Sequence, residues 1–413
     1  MQGYHYRAQQ LYLEDCALNT IVEAVGTPCF VYSAHLIQQN YQALQTALQG
    51  LNYQCCYAVK ANSNLAILNL LAQLGAGFDI VSGGELARIQ HAVSTPVPIV
   101  FSGVGKNSTE IQAALEANIS CFNIESMAEL QRLAAIAELR QVIIPIALRI
   151  NPDIDASTHP YITTGRANNK FGINSHEAMQ IARQLKSHPR LKLQGLAMHI
   201  GSQITDLSPF AAALRHLRDC YNQLHAEGII LQSLDIGGGL GINYHNETIP
   251  SFVEYAALIR NYLQALPVKI ILAPGRAVVG NSGSLITQVE YLKSNQNRQF
   301  AVVDAGMTEL LRPALYQAYH EILPLQLRHG VKTAYDIVGP VCESADCLGR
   351  DRDMVLVAGD YLAIQNCGAY AFSMSSQYNS RPRPPEILIT NDRWQIIRQR
   401  ETYADLYQSE ILA

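Results

Sequence analysis

Between residues 28 and 278 the chain alternates short apolar runs with amphipathic stretches, and a polar or glycine-bearing stop stands between most pairs. Eight runs follow the pattern: Tyr53–Lys60, Phe78–Val81, Pro98–Phe101, Ser120–Ile124, Val142–Ile150, Leu191–His199, Leu231–Ile236 and Lys269–Leu272. The stops include Ser82-Gly-Gly, Ser102-Gly, Glu125-Ser, Asn151-Pro, Ile200-Gly-Ser, Gly237-Gly-Gly and Ala273-Pro-Gly-Arg. Short apolar runs of this kind read as strands buried on both faces. Helical spacing after them, as in Leu65–Leu74, reads as covering helices. Eight such units over roughly 250 residues predict an α/β fold, a (β/α)8 barrel whose strand ends converge on one mouth. A doubly wound sheet would use fewer strands and one glycine-rich switch point.

The texture changes after about residue 278. Ser284–Val289, Gln299–Val303, Tyr335–Val338, Asp353–Val357, Tyr361–Gln365 and Glu386–Thr390 are short strand candidates, mostly without helical crossovers. We therefore expect a C-terminal β-rich domain over 279–413, a barrel over 28–278, and an opening segment, 1–27, packed with the β-rich domain.

Composition narrows the function. The chain has 413 residues, 48% hydrophobic and 15% charged, enough for a large core. Its 30 Lys and Arg nearly balance 34 Asp and Glu, which favours neither nucleic-acid nor anionic-membrane partners. The longest apolar runs, such as Val142–Leu148, are too short to span a bilayer, and the first residues lack a secretory leader's apolar run. Nine cysteines, with Cys55 beside Cys56 in a core strand and no metal-ligand spacing, predict reduced thiols, no metal and a cytoplasmic protein.

The chemistry gathers at the stops. In Tyr57-Ala-Val-Lys60-Ala-Asn62 a lysine stands at the carboxyl end of a core strand. Such an amine either reaches solvent or escapes burial by bonding an aldehyde cofactor as a Schiff base. Gly237-Gly-Gly-Leu-Gly241 and Pro274-Gly275-Arg276 follow runs seven and eight, where this fold recurrently binds phosphate. His199, with Gly201 and Ser202 behind it, can stack on a flat ring or serve the core. The β-rich part adds Arg312-Pro-Ala-Leu-Tyr316, Gly339-Pro-Val-Cys342-Glu343-Ser344 and Gly368-Ala-Tyr370. Arginine takes carboxylates in fork geometry.

These motifs resemble one family over almost the whole chain. His159-Pro-Tyr161 through Asn169-Lys-Phe-Gly172, Arg312-Pro-Ala-Leu-Tyr-Gln-Ala-Tyr-His320 and Tyr378-Asn-Ser-Arg-Pro-Arg383 join those above. The chain resembles the diaminopimelate decarboxylases, of the alanine-racemase-like fold class of pyridoxal-phosphate enzymes. The resemblance implies decarboxylation of meso-2,6-diaminopimelate to L-lysine and CO2, the last step of lysine biosynthesis. It implies that Lys60 holds pyridoxal 5'-phosphate, that His199 stacks on its ring, and that Ser202, Gly238, Gly239, Pro274, Gly275 and Arg276 surround its phosphate. Arg276, Arg312 and Tyr316 would hold the distal amino-acid end and Glu343 its amino group. Cys342 would donate a proton, and Tyr370 would contact cofactor and substrate. Cys342 and Glu343 would reach a second copy's barrel, so a homodimer is implied.

One position departs from the family. Its members usually carry Glu-Pro-Gly-Arg after the eighth strand, with the carboxylate against the ring nitrogen, where this chain has Ala273-Pro-Gly-Arg276. Two other readings stay open: a decarboxylase or racemase of another amino acid on the same scaffold, and a non-catalytic pyridoxal-phosphate binder.

Overall fold

Eight parallel strands close on themselves in the computed structural model. They are Tyr53–Ala58, Gly77–Ile80, Ile99–Phe101, Cys121–Ile124, Ile144–Asn151, Leu191–Ala197, Ser233–Asp235 and Lys269–Leu272. Each pairs with its sequence neighbour, and the eighth returns to the first through Ile270 opposite Tyr53. The structure describes residues 3–155, 159, 161–162, 164–165 and 169–412. Pro160 of the His159-Pro-Tyr161 motif lies outside the described residues.

The polar stops do two jobs. Ser82 and Ser126 end the turns after the second and fourth strands, and each hydroxyl accepts the backbone N–H three residues on, from Glu85 and Glu129. Asn107 does the same with Glu110 and completes a capping box. An N-cap satisfies donors that the helix start would otherwise orphan, so a polar residue there fixes where each crossover helix begins.

The chain divides into two compact units. The barrel unit is Tyr41–Ile242 with Thr248–Ala277, and the other takes the chain up to Asn40, Asn243–Glu247 and everything from Val278. The barrel unit thus starts at Tyr41, whereas residue 28 is where the sequence pattern begins to alternate. The reason lies in Cys29–Ser33. All five residues are buried, as in a barrel strand, yet they pair antiparallel with Gly283–Asn295 and parallel with Glu386–Thr390.

That second unit is mainly sheet. Its strands run Cys347–Met354, Thr333–Val338, Arg298–Val303, Gly283–Asn295, Cys29–Ser33, Glu386–Thr390 and Arg393–Arg398 across one sheet. Tyr361–Ile364 bridges Gly283–Asn295 and the short strand Ile322–Pro324. The expected strand at 353–357 is displaced: pairing ends at Met354 and begins at Cys347. The opening segment forms a three-stranded sheet, Tyr4–Arg7, Gln10–Leu13 and Cys16–Ala17. Leu11, Leu13, Leu18 and Ile21 share one core with Ile286, Leu325 and Ile387. Truncating Leu13, fully buried there, to alanine costs about 2–5 kcal/mol.

Candidate active site

The carboxyl ends of four barrel strands carry the candidate groups at one offset. Lys60, His199, Gly237 and Pro274 each stand two residues beyond the last strand residue: Ala58, Ala197, Asp235 and Leu272. Parallel strands place their carboxyl ends at the same end of the barrel, so all four stand at one rim. Hydrogen bonds lock the turns together. Ala58 N–H donates to Pro274 O at 2.9 Å, and Ala273 N–H donates to Gly237 O at 2.8 Å.

Lys60 sits half-buried in the single turn Val59–Ala61, at the mouth of the first strand. Its charge acts on Asp79, the buried carboxyl of the second strand, whose proton affinity burial raises and Lys60 partly lowers. Glu85, which accepts Val81 N–H at 2.7 Å, is pushed up to about 7 mainly by burial.

His199 is neutral. Burial holds its imidazole well below the usual range, and the cations Lys60 and Arg149 lower it further. Gly238 N–H donates to Nδ1 at 3.3 Å, so Nδ1 carries a lone pair and the ring proton sits on Nε2. The glycine turn is closely packed. A Cβ on Gly238 would collide with Ala273 O, and one on Gly239, at φ +114°, would lie 2.5 Å from Gly201 O. Only glycine lets the backbone pass that close to those carbonyl oxygens. Beside it, Arg276 is buried and donates from Nη2 to Ser202 Oγ at 3.1 Å. A cavity lined by Gly237, Gly238, Gly239, Pro274 and Gly275 adjoins both turns. An amine, a neutral ring and a glycine-walled cradle with an arginine and a hydroxyl are the donor set that pyridoxal phosphate requires, so the residues present fit that cofactor.

A polar network beneath the rim escaped the sequence reading. Asp235 Oδ1 accepts Gly237 N–H at 2.9 Å, and Oδ2 accepts Asn123 Nδ2 at 2.9 Å from the fourth strand, across the barrel. Asn123 also donates to Ser102 Oγ at 3.1 Å, and Ser102 donates to Asp79 at 2.6 Å. Asp235 is pushed up to about 6, first by burial and next by Asp79. Nearby, Glu125 accepts from Arg149 at 2.7 Å, Gly103 N–H at 2.8 Å and Gly172 N–H at 3.1 Å, which offsets burying its charge. Isolated polar residues inside apolar runs were the available signal.

The sheet unit holds the other candidates in separate places. Arg312 is buried at the start of the turn Arg312–Tyr316, and its guanidinium carbon lies 4.7 Å from the Tyr244 ring centroid and 6.0 Å from that of Tyr316. Tyr370 has φ +56°, a left-handed backbone costing a non-glycine residue about 1 kcal/mol. Cys342 and Glu343 lie exposed on another turn, and Cys342 is the one exposed thiol among the described residues. Asp346, buried and unnoticed in the sequence, staples that turn: it accepts Val341 N–H at 2.7 Å and Met307 N–H at 2.6 Å. Asn379 Oδ1 accepts Cys342 N–H at 3.3 Å.

Comparison with known proteins identifies the family. The pyridoxal-binding domain of the pyridoxal-dependent decarboxylases matches residues 34–280. The diaminopimelate decarboxylase of Vibrio cholerae is 47% identical, with 99% of each chain covered. That of Pseudomonas aeruginosa is 46% identical over 100% of this chain and 99% of its own. The crystal structure of diaminopimelate decarboxylase from Helicobacter pylori complexed with L-lysine superposes with a TM-score of 0.92 at 43% identity, covering 95% of this chain and 99% of that one. Among the described residues, no helix is long and apolar enough to cross a membrane. The chain belongs to the diaminopimelate decarboxylase family of pyridoxal-dependent decarboxylases.

Proposed function

We infer that this chain is a carboxy-lyase that removes CO2 from meso-2,6-diaminopimelate and releases L-lysine, with pyridoxal 5'-phosphate as cofactor. The observation that carries the reading is the rim itself, where Lys60, a neutral His199 and the Gly237–Gly239 cradle meet. When bound, pyridoxal phosphate supplies the aldehyde and the ring that accept the electron pair left as CO2 departs. Lys60 contributes the amine that anchors it. His199, holding no positive charge, would stack on the cofactor ring without withdrawing its electrons. Gly238, Gly239, Gly275, Ser202 and Arg276 take the phosphate, with Pro274 shaping the turn.

The substrate has two amino-acid ends, and one must be gripped while the other reacts. A carboxylate beside an ammonium calls for cationic and anionic groups together. Arg276, Arg312 and Tyr316 take the carboxylate, Glu343 takes the amino group, and Tyr370 contacts cofactor and substrate. A pocket for ornithine would need carboxylates alone. Cys342 returns a proton to the α-carbon. Exposure of Cys342 and Glu343 supports a homodimer in which each copy completes the other's site. The working place is the cytoplasm.

CO2 release from meso-2,6-diaminopimelate, set beside lysine, ornithine and arginine, tests the assignment. Turnover of meso-2,6-diaminopimelate alone is expected. Preference for another amino acid, or no turnover of any by cofactor-loaded protein, overturns it.

A further inference from the structure

We propose that His320 is a positioning residue that aims the Arg312 guanidinium at the substrate's distal carboxylate. The proposal rests on the reading above that Arg312 grips that carboxylate.

Burying a guanidinium is costly unless neighbours hold it, and Arg312 is only 4% exposed. Two of its neighbours bear most directly on its pose. The Tyr244 ring faces its carbon, and Arg312 Nε–H donates to His320 Nε2 at 3.3 Å. His320 is itself fully buried, and its Nδ1 lies 2.7 Å from Gln365 O. A carbonyl oxygen only accepts, so Nδ1 carries the ring proton and Nε2 presents a lone pair. One tautomer thus serves both contacts: the backbone at Gln365 fixes the ring, and the ring fixes the arginine. Further contacts hold the ring. Tyr244 packs edge-on against it at 5.2 Å, and Arg352 Nη2 donates to the His320 carbonyl at 3.0 Å.

The consequence is directional. Arginine meets a carboxylate best through two parallel N–H groups. With Nε committed to His320, the Nη1–Nη2 edge is the fork that takes the carboxylate. Loss of the acceptor on His320 loosens the Nε edge of the guanidinium, and more of the fork's ordering then falls to ligand binding. That ordering weakens binding of carboxylate ligands alone.

Two substitutions separate the contacts. In His320→Asn the amide nitrogen reaches the Nδ1 position and keeps the bond to Gln365 O, but the acceptor at the Nε2 position is lost. In His320→Gln the amide oxygen reaches the Nε2 position and accepts from Arg312 again. We would measure, on cofactor-loaded protein, the dissociation constants of L-lysine, which keeps the distal carboxylate, and of pentane-1,5-diamine, which lacks it. KM and kcat for meso-2,6-diaminopimelate complete the set. His320→Asn should weaken L-lysine and raise KM about tenfold, the scale of one charged hydrogen bond. Pentane-1,5-diamine should bind as it does to the parent, kcat should fall less than KM rises, and His320→Gln should recover most of the loss. Equal weakening of both ligands, unchanged L-lysine binding in His320→Asn, or no recovery in His320→Gln would overturn the proposal. A parent protein that binds the two ligands alike would overturn the reading of Arg312 first, and this proposal with it.

Discussion

At the barrel rim His199 accepts from Gly238 and Arg276 donates to Ser202, whereas on the sheet unit Cys342 and Glu343 stand exposed on a turn that Asp346 pins only through backbone N–H groups. The rim's side chains are tied to each other and to the turns. The Cys342 turn has its backbone fixed and its thiol exposed, and its Glu343 carboxylate meets the Tyr378 hydroxyl. The difference teaches where each half of the chemistry is finished. The groups proposed to hold the cofactor are preorganised inside one chain, and preorganisation is what lets electrostatics act without reorganisation at the moment of reaction. Groups on a stapled but exposed turn are ready for another surface, which is why we assign them to a second copy's site.

The comparison breaks most sharply at Lys60. Lys60→Ala should lower CO2 release on the order of 10⁴-fold or more, as removal of a covalent catalytic group does, and should remove the visible absorbance of bound cofactor. A cofactor still trapped by borohydride in that variant would end the assignment. The same variant tests the other half. Mixed under conditions of subunit exchange with inactive Cys342→Ala, it should recover about a quarter of the parent activity, because half of the dimers are mixed and each regains one of two sites. No recovery would place Cys342 in its own chain's site.

A smaller effect sharpens the rim's side. Asp235 faces Asp79 and Arg149 and sits at about 6, against an ordinary value of 3.8. The folded chain therefore binds this proton more tightly than the unfolded one. The resulting stabilisation is complete below about pH 4 and is lost as pH rises through 6, about 3 kcal/mol in all. Urea midpoints of the parent and of Asp235→Asn at pH 4, 5, 6 and 7 should differ in slope, the parent falling more steeply. Parallel slopes would remove the trans-barrel network from the account of the rim.

The smallest effect concerns Ala273. An acid beside the ring nitrogen favours its protonated form and so a stronger electron sink. Ala273→Glu should raise kcat at least about tenfold, roughly 1.4 kcal/mol, with little change in KM, since the distal grip lies with other residues. An unchanged or lower kcat in steady-state kinetics would show that the rim is already complete without that carboxylate.

The barrel was legible because a parallel strand must be apolar on both faces and several crossover helices take a polar start, so Ser82, Asn107 and Ser126 punctuate what they cap. The rim groups were legible for the same reason: they stand at the stops. Cys29–Ser33 defeated the pattern because a strand in the middle of either sheet is buried on both faces. Cys347–Met354 was missed because its middle, Arg350-Asp-Arg-Asp353, alternates nothing apolar and carries mostly exposed charge. Asp79, Asn123 and Asp235 were illegible as a set. They lie on three strands and become neighbours only when the sheet curls shut.

The bond from Ala58 N–H to Pro274 O spans 216 positions of the chain, and Ile270 N–H to Asn52 O spans 218. Lys60 therefore leaves the ribosome early but receives its turn late. Its strand has no eighth-strand partner until more than two hundred further residues have been made, and long loop closures of this kind are slow to form. During synthesis the amine is an ordinary lysine on an open edge, and it acquires its surroundings in the step that shuts the barrel. On the role proposed for Lys60, cofactor capture is thereby coupled to completion of the fold: a partly made chain carries the lysine without the place that would make it reactive.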